Sequence, residues 1–396
     1  MIERKEYLKK LIAFRDSKIV KVVTGIRRCG KSVLLSQYKD YLLESGVSED
    51  HVVVINFELL QFEELKEYKK LHDYVLSKIM DDQTYYLIID EVQEVSGFEK
   101  AVDSLLARGG VDIYLTGSNS KMLSTELSTL LSGRYVEIAM LPFSFQEYFE
   151  LKGGEVNEAF SEFLRYGGMP YAAALDDPEL KRSYLEGIYH TVLIKDLIER
   201  KRVADVELFK DVLRYLLETI GNNVSSKKIA DTATSYGRKT NHVTVGNYMD
   251  MILESYIMYK AFRYDIRGKE RLKTLEKYYT VDLGFRSLIL GEKQTNLGAT
   301  LENVVFLELI RRGYSVFIGK IDDIEVDFIA VKGNEKEYIQ VSASILDPKT
   351  WNREIAPLKA IKDNYKKTIL SLDRIPIAEN GIEQVNLIDW LLGKSK

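Results

Sequence analysis

Short apolar runs alternate with stretches of helical periodicity over the first 140 residues of the chain. A strand that is buried on both faces has a continuous apolar run, and strands that alternate with helices build a parallel sheet covered on both sides. The pattern therefore predicts an α/β fold around a parallel sheet. The predicted strands occupy residues 19–24, 51–57, 85–90, 113–116 and 135–140.

The pattern changes along the rest of the chain. Residues 147–220 have helical periodicity, broken by Gly167-Gly168-Met169-Pro170, and predict a helical lid. Helices followed by two strands over residues 206–281 are typical of a winged helix-turn-helix. The C-terminal part begins with an amphipathic helix, continues with strand-like runs and predicts a small α/β domain. The expected domains are 1–150, 151–205, 206–290 and 291–396.

Composition narrows the class of protein. The chain is 45% hydrophobic and 29% charged, which is typical of a globular protein, and its net charge of -4 provides no overall basic field for nucleic acid. Cys29 is the only cysteine and there are four histidines, which disfavours disulfide frameworks and Cys/His zinc sites. No run approaches the roughly 18 apolar residues of a membrane helix, and the N-terminus lacks a signal peptide's apolar stretch. We therefore expect a cytoplasmic protein with no membrane partner.

A phosphate-binding pattern follows the first predicted strand. Residues 25–32 read GIRRCGKS and match G-x-x-x-x-G-K-[ST] between a strand and a helix. Glycines let backbone N–H groups point at phosphates, Lys31 adds a positive charge near the β- and γ-phosphates, and Ser32 offers a hydroxyl to Mg²⁺. The sequence therefore predicts a site for ATP or ADP with Mg²⁺. The expected nucleotide-binding residues of this loop are Gly25, Ile26, Arg27, Arg28, Cys29, Gly30, Lys31, Ser32 and Val33.

Two adjacent carboxylates, Asp90 and Glu91, lie at the end of the predicted strand 85–90. Ligands of α/β sheets bind at this end of the strands. We expect Asp90 to hold Mg²⁺ through water and Glu91 to act as the base that orients and deprotonates the attacking water. Because the chain has no [NT]-K-x-D motif, guanine nucleotides are disfavoured. The pattern predicts an ATP hydrolase.

Three further candidates follow in the same region. Ser118 or Asn119, just after the predicted strand 113–116, is placed to sense the γ-phosphate, although such clusters are also ordinary turn chemistry. Arg134 is either an arginine finger acting on a neighbouring subunit or a surface arginine at a helix C-terminus. If Arg134 acts in trans, hydrolysis requires at least a homodimer.

The ordered set of motifs resembles prokaryotic AAA+ ATPases with a C-terminal domain of unknown function. The resemblance covers nearly the whole chain and rests on GIRRCGKS, LIIDEVQ, LTGSNS, LSGRY, LPFSFQEYF, YGGMP, LENVVFLELIRRG and EVDFI. It implies an AAA+ core in which Ser118 or Asn119 is the sensor and Arg134 is the finger. It also implies that Pro170 lies near adenine, whereas by itself Pro170 indicates only a helix start.

The C-terminal domain is similar to restriction-endonuclease-like folds. Their metal site uses a helix Glu, a strand Asp and a Glu-x-Lys on the next strand, and Glu302 and Asp327 match the first two. Gln340-Val341-Ser342 lacks the carboxylate and the lysine of the third. A metal nuclease needs clustered oxygen ligands and a group that activates water. We therefore expect a degenerate nuclease-like domain without cleavage activity.

Basic residues are concentrated in the predicted winged helix. A basic wing is able to follow DNA phosphates, yet winged helices also bind proteins, so both kinds of partner stay open. The residues are Lys227, Lys228, Arg238 and Lys239 in the helices and Lys260, Arg263, Arg267, Lys269, Arg271, Lys273 and Lys277 in the wing.

Together these features predict an ATP-hydrolysing AAA+ protein whose nucleotide state switches a C-terminal DNA- or protein-binding module. The first alternative is a nucleotide-gated adaptor that hydrolyses ATP negligibly. The second is an ATP-dependent nuclease. Measuring both ATP affinity and ATP turnover distinguishes the adaptor from the ATP hydrolase. Plasmid cleavage that disappears in Asp327→Ala would identify the nuclease.

Overall fold

The structure, a computed structural model, describes residues 2–118, 131, 133–191, 197–198, 203–268, 270–271, 275–291 and 296–394. The chain divides into two compact units. The first contains Met1–Met140 and Glu254–Tyr256, and the second contains Leu141–Leu253 and Ile257–Lys396.

The first unit contains a five-stranded parallel sheet. Its strands are β1 (Val20–Thr24), β2 (Val52–Asn56), β3 (Tyr85–Asp90), β4 (Val111–Gly117) and β5 (Tyr135–Ala139), and its helices are α1 (Lys5–Ala13), α2 (Lys31–Glu44), α3 (Tyr68–Lys78) and α4 (Phe98–Arg108). The strands lie in the order β2-β3-β4-β1-β5, and every neighbouring pair is parallel. The predicted α/β fold with a parallel sheet is confirmed.

The burial pattern explains this arrangement. Every residue of β1, β3 and β4 is buried, as expected for strands covered on both faces. Helix α4 buries Phe98, Ala101, Val102 and Leu105, whose spacing places them on one helical face. Because β4 lies between β1 and β3, the carboxyl ends of these three strands meet at one edge of the sheet.

The second unit combines helices with a mixed sheet, so the whole chain is α/β. Its helices are α5 (Phe145–Lys152), α6 (Val156–Tyr166), α7 (Pro170–Ala174), α8 (Pro178–His190), α9 (Val206–Glu218), α10 (Ser226–Ser235), α11 (His242–Glu254), α12 (Leu283–Leu290), α13 (Leu297–Arg311), α14 (Pro348–Ala360) and α15 (Leu387–Leu391). Only the last residue of α11 belongs to the first unit. Within the described residues, no helix of the chain has the length and apolar character needed to cross a membrane.

The sheet of the second unit has ten strands. They are β6 (Asn223–Val224), β7 (Met258–Asp265), β8 (Glu270–Arg271), β9 (Glu276–Thr280), β10 (Ser315–Ile321), β11 (Ile324–Lys332), β12 (Glu335–Val341), β13 (Lys366–Ser371), β14 (Ala378–Glu379) and β15 (Ile382–Asn386). Their order is β14-β15-β13-β12-β11-β10-β7-β9-β6, and β8 pairs with β7.

Strand β7 joins two parts of this sheet. Its first half pairs antiparallel with β9, and its second half pairs parallel with β10. The segments expected as separate domains, 206–290 and 291–396, therefore contribute strands to one continuous sheet.

Candidate nucleotide-binding site

The loop between β1 and α2 has the backbone shape that its glycines allow. Gly25 has a φ of 142°, and a Cβ added there would lie 2.2 Å from the carbonyl oxygen of Met140. Gly30 has a φ of 104° and directly precedes α2. A side chain at either position would strain the loop. The N-terminus of α2 therefore lies next to the loop that is predicted to bind the phosphates, and the N–H groups of its first turn are able to donate to them.

Lys31 lies inside this loop. Its side chain is 4% exposed, and its Nζ donates hydrogen bonds to the carbonyl oxygens of Gly25 at 3.1 Å and Ile26 at 3.3 Å. The same Nζ is 3.9 Å from Oε1 of Glu91. The ammonium group is thus held between the phosphate loop and the acidic end of β3.

Buried contacts of Arg4 and Cys29 also stabilise the loop. Arg4, which is buried, donates from Nη1 to the carbonyl oxygen of Cys29 at 3.0 Å. The Cys29 thiol lies 3.6 Å from the carbonyl oxygen of Met140, and burial raises its pKa. A buried thiol with a raised pKa is a poor nucleophile, so Cys29 serves as a small packing residue. Nothing in the sequence pattern pointed to Arg4.

The remaining loop residues differ in exposure. Ile26 is buried, and Val33 is half-buried in the first turn of α2. Arg27 forms an ion pair with Glu58 at 3.7 Å. Arg28 is exposed and has a φ of 69°, so it occupies the left-handed region.

Thr116 connects the two carboxylates at the end of β3. Its fully buried Oγ1 donates a hydrogen bond to Oδ1 of Asp90 and accepts one from the backbone N–H of Glu91 at 2.9 Å. One hydroxyl on β4 therefore fixes the Asp90 side chain and the Glu91 backbone together. No role for Thr116 was predicted from the sequence, although it ends the strand-like run before Gly117-Ser118.

The carboxylate of Glu91 has its own set of contacts. Its backbone has a φ of 56° and a ψ of 49°, an uncommon conformation that costs on the order of 1 kcal/mol outside glycine. Gln93 Nε2 donates to Glu91 Oε2, and Ser118 Oγ donates to the same oxygen at 3.3 Å. Gln93, Ser118 and Lys31 thus orient the carboxylate of Glu91 toward the loop between β1 and α2. Gln93 belongs to the LIIDEVQ motif, but the motif alone did not predict a role for it.

The residues expected to hold Mg²⁺ suit a hard cation. Ser32 lies in the first turn of α2 with an exposed side chain, and Asp90 is 4% exposed with one oxygen anchored by Thr116. Mg²⁺ is commonly held by one or two protein oxygens together with waters and substrate phosphates. A hydroxyl and a carboxylate at this edge of the sheet fit that chemistry.

Three other predicted site residues have separate outcomes. Arg134 is exposed, donates from Nε to the carbonyl oxygen of Leu131 at 3.2 Å, and pairs through Nη2 with Asp103 at 2.7 Å. Asn119 lies outside the described residues. Pro170, in the second unit, is the first residue of α7, where its missing N–H costs no helical hydrogen bond. Its contact with adenine stays a prediction.

The glycines before Pro170 pack closely around Asp282. A Cβ on Gly168 would lie 2.4 Å from the carbonyl oxygen of Phe143. The Gly168 and Gly284 backbone N–H groups donate to the two oxygens of Asp282 at 2.7 and 2.8 Å. Burial nevertheless raises the pKa of Asp282 to about 7. The motif is therefore explained by tight packing around a buried carboxyl group.

In the C-terminal part, the structure supplies a lysine from an unexpected strand. Lys277 on β9 is 4% exposed and its Nζ lies 2.7 Å from Glu325 Oε1 and 3.5 Å from Glu302 Oε2. Burial alone would lower the pKa of Lys277, but Glu302, Asp327 and Glu325 outweigh it and raise the pKa. Burial, and then the charge of Glu302, raise the pKa of Asp327 well above its usual range. Lys277 was predicted to lie in a DNA-facing wing, but its side chain is buried.

Gln340 belongs to the same cluster. It accepts from the backbone N–H of Asp327 at 2.7 Å and donates to Glu354 Oε2 at 3.0 Å. Within the described part of the chain, no group of three or more His, Cys, Asp or Glu residues is arranged to hold a metal ion. In this cluster the ammonium group of Lys277 and the amide of Gln340 contact the surrounding carboxylates.

Comparisons with known proteins agree with this geometry. Residues 17–149 match the family model described as an AAA domain, and residues 157–296 match a domain of unknown function, DUF8612. The Walker-type ATPase PABY2304 of Pyrococcus abyssi is similar to this chain, with a TM-score of 0.50 and 17% identity over 73% of this chain and 96% of that one. At this identity the likeness shows the fold alone.

Two whole-chain relatives are also similar. An uncharacterized protein of Haemophilus influenzae is 41% identical over 99% of both chains. An uncharacterized protein of Methanocaldococcus jannaschii, MJ1544, is 30% identical over 93% of this chain and 85% of its own length. The chain thus belongs to the same prokaryotic family as these two relatives, with a P-loop AAA domain at residues 17–149 followed by a domain of unknown function.

Proposed function

We propose that this protein is a Mg²⁺-dependent ATPase in which Lys31 holds the phosphates and Glu91 is the general base. The observation that carries the proposal is the 3.9 Å separation between Lys31 Nζ and Glu91 Oε1. This separation supports the proposal because hydrolysis of a phosphoanhydride requires a cation for the phosphates and a base for the water close to one reacting group.

The chemistry follows from the contacts already described. Phosphate oxygens would replace the carbonyl oxygens of Gly25 and Ile26 as acceptors for Lys31, while backbone N–H groups of the loop donate to the same phosphates. Glu91 takes a proton from water as the water oxygen bonds to the γ-phosphorus and the bond to the ADP oxygen breaks. Mg²⁺, held by Ser32 and Asp90, would neutralise charge on the phosphates.

The test compares ATP affinity with phosphate release in the full chain and in Glu91→Gln. The variant keeps the shape of the side chain but cannot accept the proton, so turnover should fall about 10²-fold or more while ATP binding remains. Glu49→Gln, which removes an exposed carboxylate of the same unit, serves as the matched control. Tight ATP binding with negligible wild-type turnover would contradict hydrolysis and favour the adaptor alternative.

The proposal includes coupling of nucleotide state to the C-terminal module, supported by residues 254–256. Tyr256 is 7% exposed, has a φ of 60°, and donates its hydroxyl to Glu137 Oε1 at 3.2 Å. Thr24 Oγ1 donates to the same oxygen at 2.6 Å, and Thr24 directly precedes Gly25. Residues 254–256 connect α11 to β7. A shift of the loop that begins at Gly25 would therefore reach both elements along the chain if it moved Tyr256. Tyr256→Phe should retain turnover and weaken any effect of ATP on partner binding.

We also assign residues 206–290 to a winged helix that contacts DNA. Helices α9, α10 and α11 precede the paired strands β7 and β9, with β6 on the outer side of β9, which supports this reading. Among the described residues, Lys227, Lys228 and Lys239 are exposed and have no ion-pair partner, whereas Arg238 pairs with two aspartates.

We therefore propose that DNA contacts the helices of this segment. Lys227→Glu combined with Lys228→Glu should weaken DNA binding and reduce its salt dependence, because fewer counterions are released. Unchanged DNA affinity and salt dependence in this double variant would contradict the assignment and favour a protein partner.

The proposal also includes a role for Arg134 that requires a neighbouring subunit. The finger role of Arg134 requires exchange of its 2.7 Å ion pair with Asp103 for a phosphate of a neighbouring subunit. Light scattering in ADP and in ATP tests this role, since a chain that stays monomeric during turnover cannot use an arginine in trans. The lid at 151–205, the nuclease-like domain at 291–396 and the cytoplasmic location remain parts of the same proposal.

A further inference from the structure

A cavity of about 220 Å³ lies in the second unit, away from the residues used above. It is lined by residues of α6, α12 and the first turn of α13. Arg165, Arg286, Ser161, Ser287 and Thr300 provide its polar wall, and three leucines provide the apolar remainder. None of these described lining residues is acidic, so the wall carries only positive charge.

Arg286 is the unusual member of this wall because it is 2% exposed. Its Nε donates to the carbonyl oxygen of Leu217 at 3.0 Å, and its Nη1 donates to Thr300 Oγ1 at 3.2 Å. A guanidinium has five N–H donors, and these two bonds use two of them. Across the residues that the structure describes, no carboxylate pairs with this group.

Among the described residues, the positive charge of Arg286 is therefore only partly balanced. Leu217 lies in the last turn of α9, whose carbonyl groups together carry about half a negative charge. Burial lowers the pKa of Arg286, yet an arginine remains protonated at neutral pH. A buried cation without a full counter-charge is costly. The 15-residue helix α13 adds positive potential, because Thr300 lies in its first turn and lines the cavity.

We propose that this cavity binds a small phosphoryl oxyanion, either inorganic phosphate or the phosphoryl group of a small organic phosphate. The guanidinium of Arg286 offers a two-pronged donor face that suits a tetrahedral oxyanion. Ser287 adds a hydroxyl donor, whereas the Thr300 and Ser161 hydroxyls already donate to the carbonyl oxygens of Asn296 and Asn157. The volume is below the roughly 300 Å³ of drug-sized pockets, which favours a small ligand.

The test uses the full-length chain carrying Lys31→Ala, so that phosphate binding at the loop of the first unit does not contribute. Calorimetry and thermal unfolding are measured with inorganic phosphate, with glycerol phosphate, and with acetate at equal ionic strength. Phosphate should bind and raise the unfolding temperature, and acetate should not. The arm with glycerol phosphate distinguishes free phosphate from an organic phosphate as the preferred ligand.

Arg286→Met in the same background should lose phosphate affinity tenfold or more, because a charge-assisted contact is removed. Its stability without phosphate should be equal or higher, since an uncompensated buried charge disappears. Arg182→Gln, which changes an exposed arginine that does not line the cavity, should bind phosphate normally. Thr300→Val keeps the side-chain shape but removes the hydroxyl that accepts from Arg286 and orients its guanidinium, so this milder variant should weaken phosphate binding severalfold.

The outcomes decide the assignment. No phosphate-dependent stabilisation in the Lys31→Ala chain, or equal stabilisation in Arg286→Met, would overturn it. Acetate bound as tightly as phosphate would overturn the phosphoryl chemistry. If Arg286→Met fails to fold, unchanged phosphate affinity in Thr300→Val leads to the same rejection.

Discussion

Replacement of Thr116 by valine isolates one hydroxyl that supports both candidate catalytic carboxylates. Valine fills the same space in this fully buried position but removes the bonds to Asp90 Oδ1 and to the Glu91 N–H. A hydrogen bond to a charged group contributes about 1.5–3 kcal/mol, and a buried amide left without a partner costs about 1–3 kcal/mol. We therefore expect the first unit to lose about 3 kcal/mol of stability.

The effect on turnover should exceed the effect on nucleotide binding. Misplacing a catalytic group by about 1 Å costs on the order of 10²-fold in rate, so kcat for ATP should fall by about that factor in Thr116→Val. Affinity for ATP should change much less, because the loop and Lys31 are untouched. Steady-state phosphate release together with calorimetric titration of ATP measures the two quantities separately.

Thr116→Ser is the matched control. Serine keeps Oγ and therefore both hydrogen bonds, while it loses only a methyl group. We expect most of the turnover to remain in this variant. Equal kcat in the serine and valine variants would refute the idea that the hydroxyl positions Asp90 and Glu91.

Two predictions concern the second unit, which contains both tryptophans, Trp351 and Trp390, so that urea unfolding followed by their fluorescence reports on it. Folding raises the pKa of Asp282 from 3.8 to about 7, so the folded state favours the protonated form. This preference contributes about 4 kcal/mol to the free energy of unfolding at low pH, and the contribution is lost as the pH rises from about 4 to about 7. Asp282→Asn cannot ionise, so its free energy of unfolding should fall less between pH 4 and pH 7 than that of the wild type, and parallel pH profiles would contradict the burial argument. Lys277→Met should lower the free energy of unfolding by about 3 kcal/mol by leaving buried carboxylates without their cation, and adding Glu302→Gln should restore part of it. No recovery in this double variant would show that the ion pair with Glu302 does not explain the loss.

Local pattern was sufficient to predict the parallel sheet. Residues 85–90 form an uninterrupted apolar run ending in a carboxylate, and the structure has β3 at those residues, buried at every position. Residues 113–116 lie inside β4. Such runs are informative because central parallel strands are covered on both faces, so burial imposes apolar side chains all along them.

Contacts between residues distant in sequence were not predictable in this way. Lys21 lies within an apolar run, yet it forms a buried ion pair with Asp112 on the adjacent strand. Lys277 resembled a solvent-exposed wing residue until β9 was placed beside the acidic cluster. Arg4, far from the loop in sequence, reaches the carbonyl oxygen of Cys29. Each contact depends on which strands and helices become neighbours, and periodicity contains no information on that.

The candidate site shows the same division. The loop residues and the acidic pair follow from short motifs whose spacing is chemically constrained. Thr116 and Gln93, which hold the carboxylates in place, could not be assigned because a hydroxyl or amide is unremarkable until its partner is known. Motifs therefore indicated the candidate reacting groups, and only the fold indicated the groups that orient them.

Calorimetric titration of ATP with millimolar Mg²⁺ into the full chain and into Lys31→Ala tests the central claim most directly. Lys31 Nζ lies in the loop between β1 and α2, 3.9 Å from Glu91, so its removal takes away the ammonium group that we propose binds the phosphates. We predict saturable ATP binding in the wild type and its loss in Lys31→Ala. Absence of binding in the wild type, or equal affinity in both proteins, would contradict the account.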